Sequence, residues 1–223
     1  MTDRTNRERR TTRRMFSIWA TPGWVAGVLV ILVILTTSLP ASAATTTRVT
    51  DPAGDARFGA PGFMDIVGAA ATKSGQTFRF QMNVAAPIPA APPPTPPGSN
   101  QIQWDWPLNT DPTTFPAGNP FPGAPGQAAP AEFIVHVVWD GSSFSAFLTD
   151  RRPLLSGGEA VITPLAFTIS GTAVTVDVGA SLLGQPSSFT WGAVTFYWAS
   201  PPGATKGGNF VDTLEPFFAP FPA

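Results

Sequence analysis

Three aspartates, three glycines and two prolines crowd into DPAGDARFGAPGFMDI, positions 51–66, just ahead of an apolar run. Calcium takes carboxylate and carbonyl oxygens around a flexible turn, and Asp51, Asp55 and Asp65 offer such oxygens. Asp111, in the run Asn109-Thr110-Asp111-Pro112, and Glu132 lie further along the chain and are available to join them in the fold. The spacing is not that of an EF-hand, whose ligands fall at fixed alternate positions. Asp-Pro and Gly-Asp are also ordinary turn formers, so the same stretch reads as the turn that launches a strand.

A second chemistry sits in QIQWDW, residues 101–106. Sugars present apolar faces, and Trp104 or Trp106 is the platform on which one would stack, with Gln103 and Asp105 supplying polar groups. Alternation puts the two sets on opposite sides of a strand, so they meet only if the chain twists or bends at Pro107. Core packing is the competing fate of large aromatics. Of the five tryptophans beyond residue 43 (Trp104, Trp106, Trp139, Trp191, Trp198), at least three are expected inside.

Catalytic chemistry finds few parts. The chain has no cysteine and one histidine, His136, and lacks a G-x-S-x-G elbow. His136 shares a strand face with Ile134 and Val138 and reads as a structural residue. Paired carboxylates can cleave a glycosidic bond, and Asp105, Asp111, Glu132 and Asp140 exist, but sequence spacing does not set their separation in space. No catalytic residue is assigned.

These groups must be positioned by strands. MDIVGAAA, a Ser-Gly turn and TFRFQMNV read as a hairpin, the second arm alternating Phe78, Phe80, Met82 and Val84 with polar residues. QIQWDW, EFIVHVVWDG with SFSAFLTD, EAVITPLAFTIS, TAVTVDV and FTWGAVTFYWA continue the pattern, with SLLG as a single helical turn. Prolines make residues 85–100 an extended loop, and residues 107–130 a second Pro/Gly-rich one. The expectation is an all-β, antiparallel β-sandwich of jelly-roll or immunoglobulin-like type, with about eight or nine strands in one domain over residues 44–223. The tail phenylalanines Phe217, Phe218 and Phe221 are expected to dock on it.

Composition and targeting set the address. Charged residues make up 12% of the chain, with 26 prolines and 21 glycines among 223 residues, which suits strands and stiff loops. The first 43 residues carry six arginines, then VAGVLVILVIL, then Ala41-Ser42-Ala43. That is a signal peptide cut before Ala44, or an uncleaved anchor, the only membrane contact expected. Thr12-Arg13-Arg14-Met15-Phe16 resembles the twin-arginine export signature. Beyond residue 43 lie seven basic and twelve acidic residues, a net charge of −5. With no basic cluster, nucleic acid is excluded as a partner.

Several pieces in order carry a resemblance: Asp51-Pro52-Ala53-Gly54-Asp55, Asp65-Ile66-Val67 opening a strand, the run 131–141, Ser181-Leu182-Leu183-Gly184, Ser188-Phe189-Thr190-Trp191, and Asp212. The order resembles the DOMON-like sandwich group, which includes family-nine carbohydrate-binding modules. The resemblance implies a secreted, non-catalytic module that binds sugar or, in some branches, haem, which His136 with Met64 or Met82 would ligate. The proline loop departs from that pattern, as does the lack of a full set of stacking aromatics. Together these readings point to an exported carbohydrate-binding module. The alternatives are a structural or protein-interaction domain of the cell exterior, and a glycoside hydrolase.

Overall fold

Thirteen strands run through the described residues: β1 (Thr45–Thr50), β2 (Ile66–Ser74), β3 (Thr77–Val84), β4 (Ser99–Asn109), β5 (Phe133–Trp139), β6 (Phe144–Asp150), β7 (Val161–Pro164), β8 (Phe167–Ser170), β9 (Ala173–Gly179), β10 (Phe189–Trp191), β11 (Val194–Ala199), β12 (Gly207–Thr213) and β13 (Ala219–Phe221). The computed structural model describes residues 43–94, 99–111, 131–199, 207–216 and 218–222. Residues 1–42, where the targeting segment is expected, part of the first proline loop, most of the second and Phe217 lie outside them. Apart from strands, the regular elements there are short 3₁₀ turns.

The strands form two antiparallel sheets. The smaller runs β1-β2-β3-β9-β8; the larger runs β12-β11-β4-β5-β6-β7, with β10 on β4 and β13 on β10. Alternation supplies the common core. Phe78, Phe80, Met82, Val174, Val176 and Val178 from the smaller sheet meet Trp104, Trp106, Leu108, Val135, Val137 and Leu148 from the larger. Phe221 docks as expected, its ring 4.9 Å from Phe189 and 5.8 Å from Phe78. Such ring pairs add roughly 0.5–1.5 kcal/mol each beyond the area they bury.

Local signals hold where a turn is local. Gly75, Gly141 and Gly171 take left-handed φ of 56°, 95° and 59° at the three expected hairpin turns. Asp140 fastens the second of these by accepting from Ser142 N and Ser143 N, both at 2.8 Å. SLLG forms the expected 3₁₀ turn, ended by left-handed Gly184.

Long-range signals needed correction. There are more strands than eight or nine, because two expected runs divide. EAVITPLAFTIS gives β7 to the larger sheet and β8 to the smaller. FTWGAVTFYWA breaks at Gly192-Ala193 into β10 and β11, and β1, β12 and β13 were not anticipated. The second loop does not begin at Pro107, for β4 runs on to Asn109. Pro107 is tolerated because its carbonyl accepts from Gly192 N at 3.0 Å in the gap between β10 and β11. A strand residue points its N and O to one edge, so the missing donor falls in that same gap.

β7 is the last strand of the larger sheet and pairs with β6 alone. Leu165 N donates to Ala146 O at 2.9 Å, and the register sets Thr163 opposite Leu148. The backbone groups of Val161 and Thr163 therefore face β6, and those of Ile162 and Pro164 face outward.

Gly68, where β2 shifts register against β3, lies so close to β1 that a Cβ would stand 2.9 Å from Val49 O. Gly68→Ala should therefore lower stability by about 1–3 kcal/mol, as other overpacked positions do. Urea unfolding checks this: the midpoint should fall with little change in slope.

Candidate functional site

The stretch that raised the calcium question folds into a loop pinned to the larger sheet. Trp104 Nε1 donates to Phe63 O at 3.0 Å, Thr195 Oγ1 donates to Met64 O, and Ile66 N donates to Asp212 Oδ2 at 2.6 Å. Phe58, at φ 63°, adds an edge-to-face ring contact with Tyr197 at 6.0 Å. These attachments bring Asp51 at the end of β1, Asp55 and Asp65 in the loop, and Asp212 on β12 into one neighbourhood.

Asp51, Asp65 and Asp212 are buried, with 8%, 6% and 6% of their surface exposed, while Asp55 is exposed. Oxygens of Asp51, Asp55 and Asp212 all lie within 4.8 Å of one another. Two oxygens sharing one calcium ion stand at most about 5 Å apart, twice the bond length. The backbone satisfies part of the cluster: Gly54 N donates to Asp65 Oδ2 at 2.8 Å, Glu215 N to Asp51 Oδ1 at 3.0 Å, and Thr213 N to Asp212 Oδ1 at 2.8 Å. Asp51 Oδ2 and Asp65 Oδ1 are buried with no hydrogen-bond partner. Among the described residues, none of these carboxylates forms an ion pair.

The electrostatics follow. Burial pushes the Asp212 carboxyl up to about 6, and the negative charges of Asp55 and Asp51 add to the rise against the bonds from Ile66 and Thr213. Asp51 is raised for the same first reason, with Asp55, Glu215 and Asp65 contributing repulsion. A divalent cation would reverse this balance, and the residues fit one: hard oxygen donors close together, with Asp51 Oδ2 unpartnered and dry.

The other expected ligands are elsewhere. Glu132 Oε2 accepts from Thr110 Oγ1 at 2.7 Å and Asp111 N at 3.1 Å, closing the turn after β4. Neither Glu132 nor Asp111 belongs to the aspartate group.

The tryptophan platform also needs correction. Trp104 and Trp106 have no exposed surface and lie in the core, so neither has a face open to a sugar. Because β4 continues in unbroken register with β5 past Pro107, Gln103 and Asp105 stay on the opposite, outer face. There Asp105 Oδ1 pairs with His136 Nδ1 at 2.9 Å. With the Gln103 amide oriented to suit both neighbours, its nitrogen donates to Asp105 Oδ2 at 3.0 Å and its oxygen accepts from Trp198 Nε1 at 2.8 Å. His136 packs on Phe147, ring centres 4.7 Å apart. Gln103 and Asp105 are nonetheless under a tenth exposed. Met64 and Met82 lie in the core, on the other side of the sheet from His136, so they do not meet it as a haem pair.

Sequence reasoning singled out Asp51, Asp55 and Asp65; the carboxylates whose oxygens lie mutually within 4.8 Å are Asp51, Asp55 and Asp212. It left Asp212 as a mark of resemblance and did not single out Glu215. The signal was thin: Asp212 lies 146 positions from Ile66, whose amide it accepts. No family model matches the chain, and no curated protein matches it.

Asp212 titrates near 3.8 unfolded and at about 6 folded. Between those values the folded state binds more protons, so stability falls as pH rises through the window. The loss from Asp212 alone is on the order of 3 kcal/mol by neutral pH. In chelator, the stability of the wild type minus that of Asp212→Asn should drop by this order between about pH 4 and about pH 7. Paired urea titrations across that range test it; a flat difference would contradict the assignment.

Proposed function

We propose that the chain is an exported, non-catalytic binding module of the cell exterior, a jelly-roll-type sandwich whose ligand is a carbohydrate or another cell-envelope component. Calcium held by Asp51, Asp55, Asp65 and Asp212 fastens its first loop to β12. The observation that carries the cation is the approach of Asp51, Asp55 and Asp212 oxygens to within 4.8 Å of one another, with Asp51 Oδ2 dry and unpartnered. The order of motifs shared with DOMON-like and family-nine carbohydrate-binding modules supports the ligand class.

The non-catalytic reading is supported by what the carboxylates are doing. Asp105 is tied to His136, Glu132 to Thr110 and Asp111, and Asp140 to its own hairpin turn. A general acid must reach a scissile oxygen, and these groups are occupied in holding the backbone and each other.

One observation favours a second reading, a protein-interaction domain: Val161 and Ile162 are 52% and 64% exposed on β7 and Leu155 is 46% exposed in the turn before it, and exposed apolar side chains suit a protein partner.

Calcium that binds only the native state stabilises by mass action, about 2.7 kcal/mol at a hundredfold excess over Kd. Millimolar calcium should therefore raise the melting temperature over that in chelator, and Asp51→Asn should abolish the shift. Equal melting in both conditions would remove the cation. For the ligand, tryptophan fluorescence titrated with a panel of sugars should respond. A flat titration, with capture of a stable protein partner from envelope extract, would favour the interaction domain instead.

A further inference from the structure

Phe58 combines two features that seldom occur in one loop residue. It is 65% exposed, the most of any large apolar side chain among the described residues. Its backbone is left-handed, at φ 63° and ψ 20°. That conformation crowds the Cβ of every residue but glycine and is an outlier for a bulky one. Gly59 beside it has φ 62°, so the chain bends through two left-handed residues and spends a glycine on only the second.

Burial does not explain the choice. The Tyr197 ring, itself buried, meets the Phe58 ring edge to face at 6.0 Å and 78°, a contact that takes one side of a ring at most. The rest of Phe58 faces water. Strained residues persist where the surroundings hold them, and they gather at ligand sites. Here the surroundings do hold one. Ala60 N donates to Arg57 O at 3.2 Å across the turn, and the loop beyond is fixed by the bonds that Trp104 and Thr195 make to Phe63 and Met64. The turn packs on β12, with Tyr197 reaching it from β11.

We propose that Phe58 is the platform on which one sugar ring stacks, beside the β11–β12 edge of the larger sheet. The C–H face of a sugar is apolar and matches an open phenyl face, a role that the buried Trp104 and Trp106 cannot fill. Arg57, on the same turn, is exposed and forms no ion pair among the described residues, so its guanidinium donors are free for ring hydroxyls. Asp55, also exposed, adds an acceptor. The isolation of the ring argues for a sugar over a protein. Val161 and Ile162 lie on β7 with Leu155 just before it, at the opposite edge of the sheet, and Leu182 lies in the turn after β9. Residues 52–60 hold no second large apolar side chain from which a contiguous patch could be built. The inference rests on the carbohydrate-binding reading and gives that reading a location.

Isothermal titration calorimetry of the purified protein in millimolar calcium, with glucose, galactose, arabinose, N-acetylglucosamine and trehalose, tests it. At least one should bind. Phe58→Ala should weaken that binding roughly tenfold or more, and Arg57→Ala severalfold. Phe58→Gly separates recognition from support. It should lose the binding yet melt no lower than Phe58→Ala, because glycine takes this φ freely. Phe58→Trp should keep the binding and report it, its exposed indole changing emission as the sugar is added. A glycine variant that melts well below the alanine one would remove the strain on which the assignment stands. Binding that survives Phe58→Ala would place the sugar elsewhere and overturn the assignment while leaving the functional reading intact. Heat from none of the five, with a flat Phe58→Trp emission, would overturn both.

Discussion

Mutual repulsion among Asp51, Asp55 and Asp212, the first and last nearly dry, is the constraint around which one end of the molecule is organised. Left to themselves such groups would separate or keep their protons. They are held together by attachments that have nothing to do with charge: the Trp104 indole on Phe63, the Thr195 hydroxyl on Met64, and the Ile66 amide on Asp212. The core thus supplies the free energy that gathers the carboxylates. Trp104, which as a bare sequence feature suggested a ligand platform, serves instead as a peg that holds the aspartate loop to the larger sheet.

The two sheets differ in what they turn outward. On the smaller one, Thr46 bonds Thr72 and Arg79 forms a two-point pair with Asp177, all exposed to solvent. On the larger one, Ile134, Val138, Val194 and Phe196 face away from the core and are still buried, with the Gln103–Asp105–His136 line running among them. A sheet that is dry on both faces reads as a continuous apolar run rather than an alternating one. FIVHVVW in β5 has that character, broken only by His136, whose ring is satisfied by Asp105.

This contrast explains what the sequence could and could not disclose. β3 and β9 alternate cleanly because one side is wet, and their hairpin turns were legible because Gly75 and Gly171 are local signals. In QIQWDW the pattern showed which residues share a face but not which face is inner, since both faces of β4 are buried. The division of VITPLAFTIS between two sheets depends on partners distant in the chain, and nothing within the ten residues records it. The aspartate cluster was half legible for a similar reason: Asp51, Asp55 and Asp65 announce a loop, whereas Asp212 joins it only through tertiary pairing.

The proline at the end of β7 has a colloidal consequence. A neighbouring copy trying to lengthen the larger sheet there would find one outward donor, the Ile162 amide, and then a ring with none to give. Val161 and Ile162 can therefore stay greasy at the rim without templating a growing fibril, because the strand ends in a full stop that no second strand can read past.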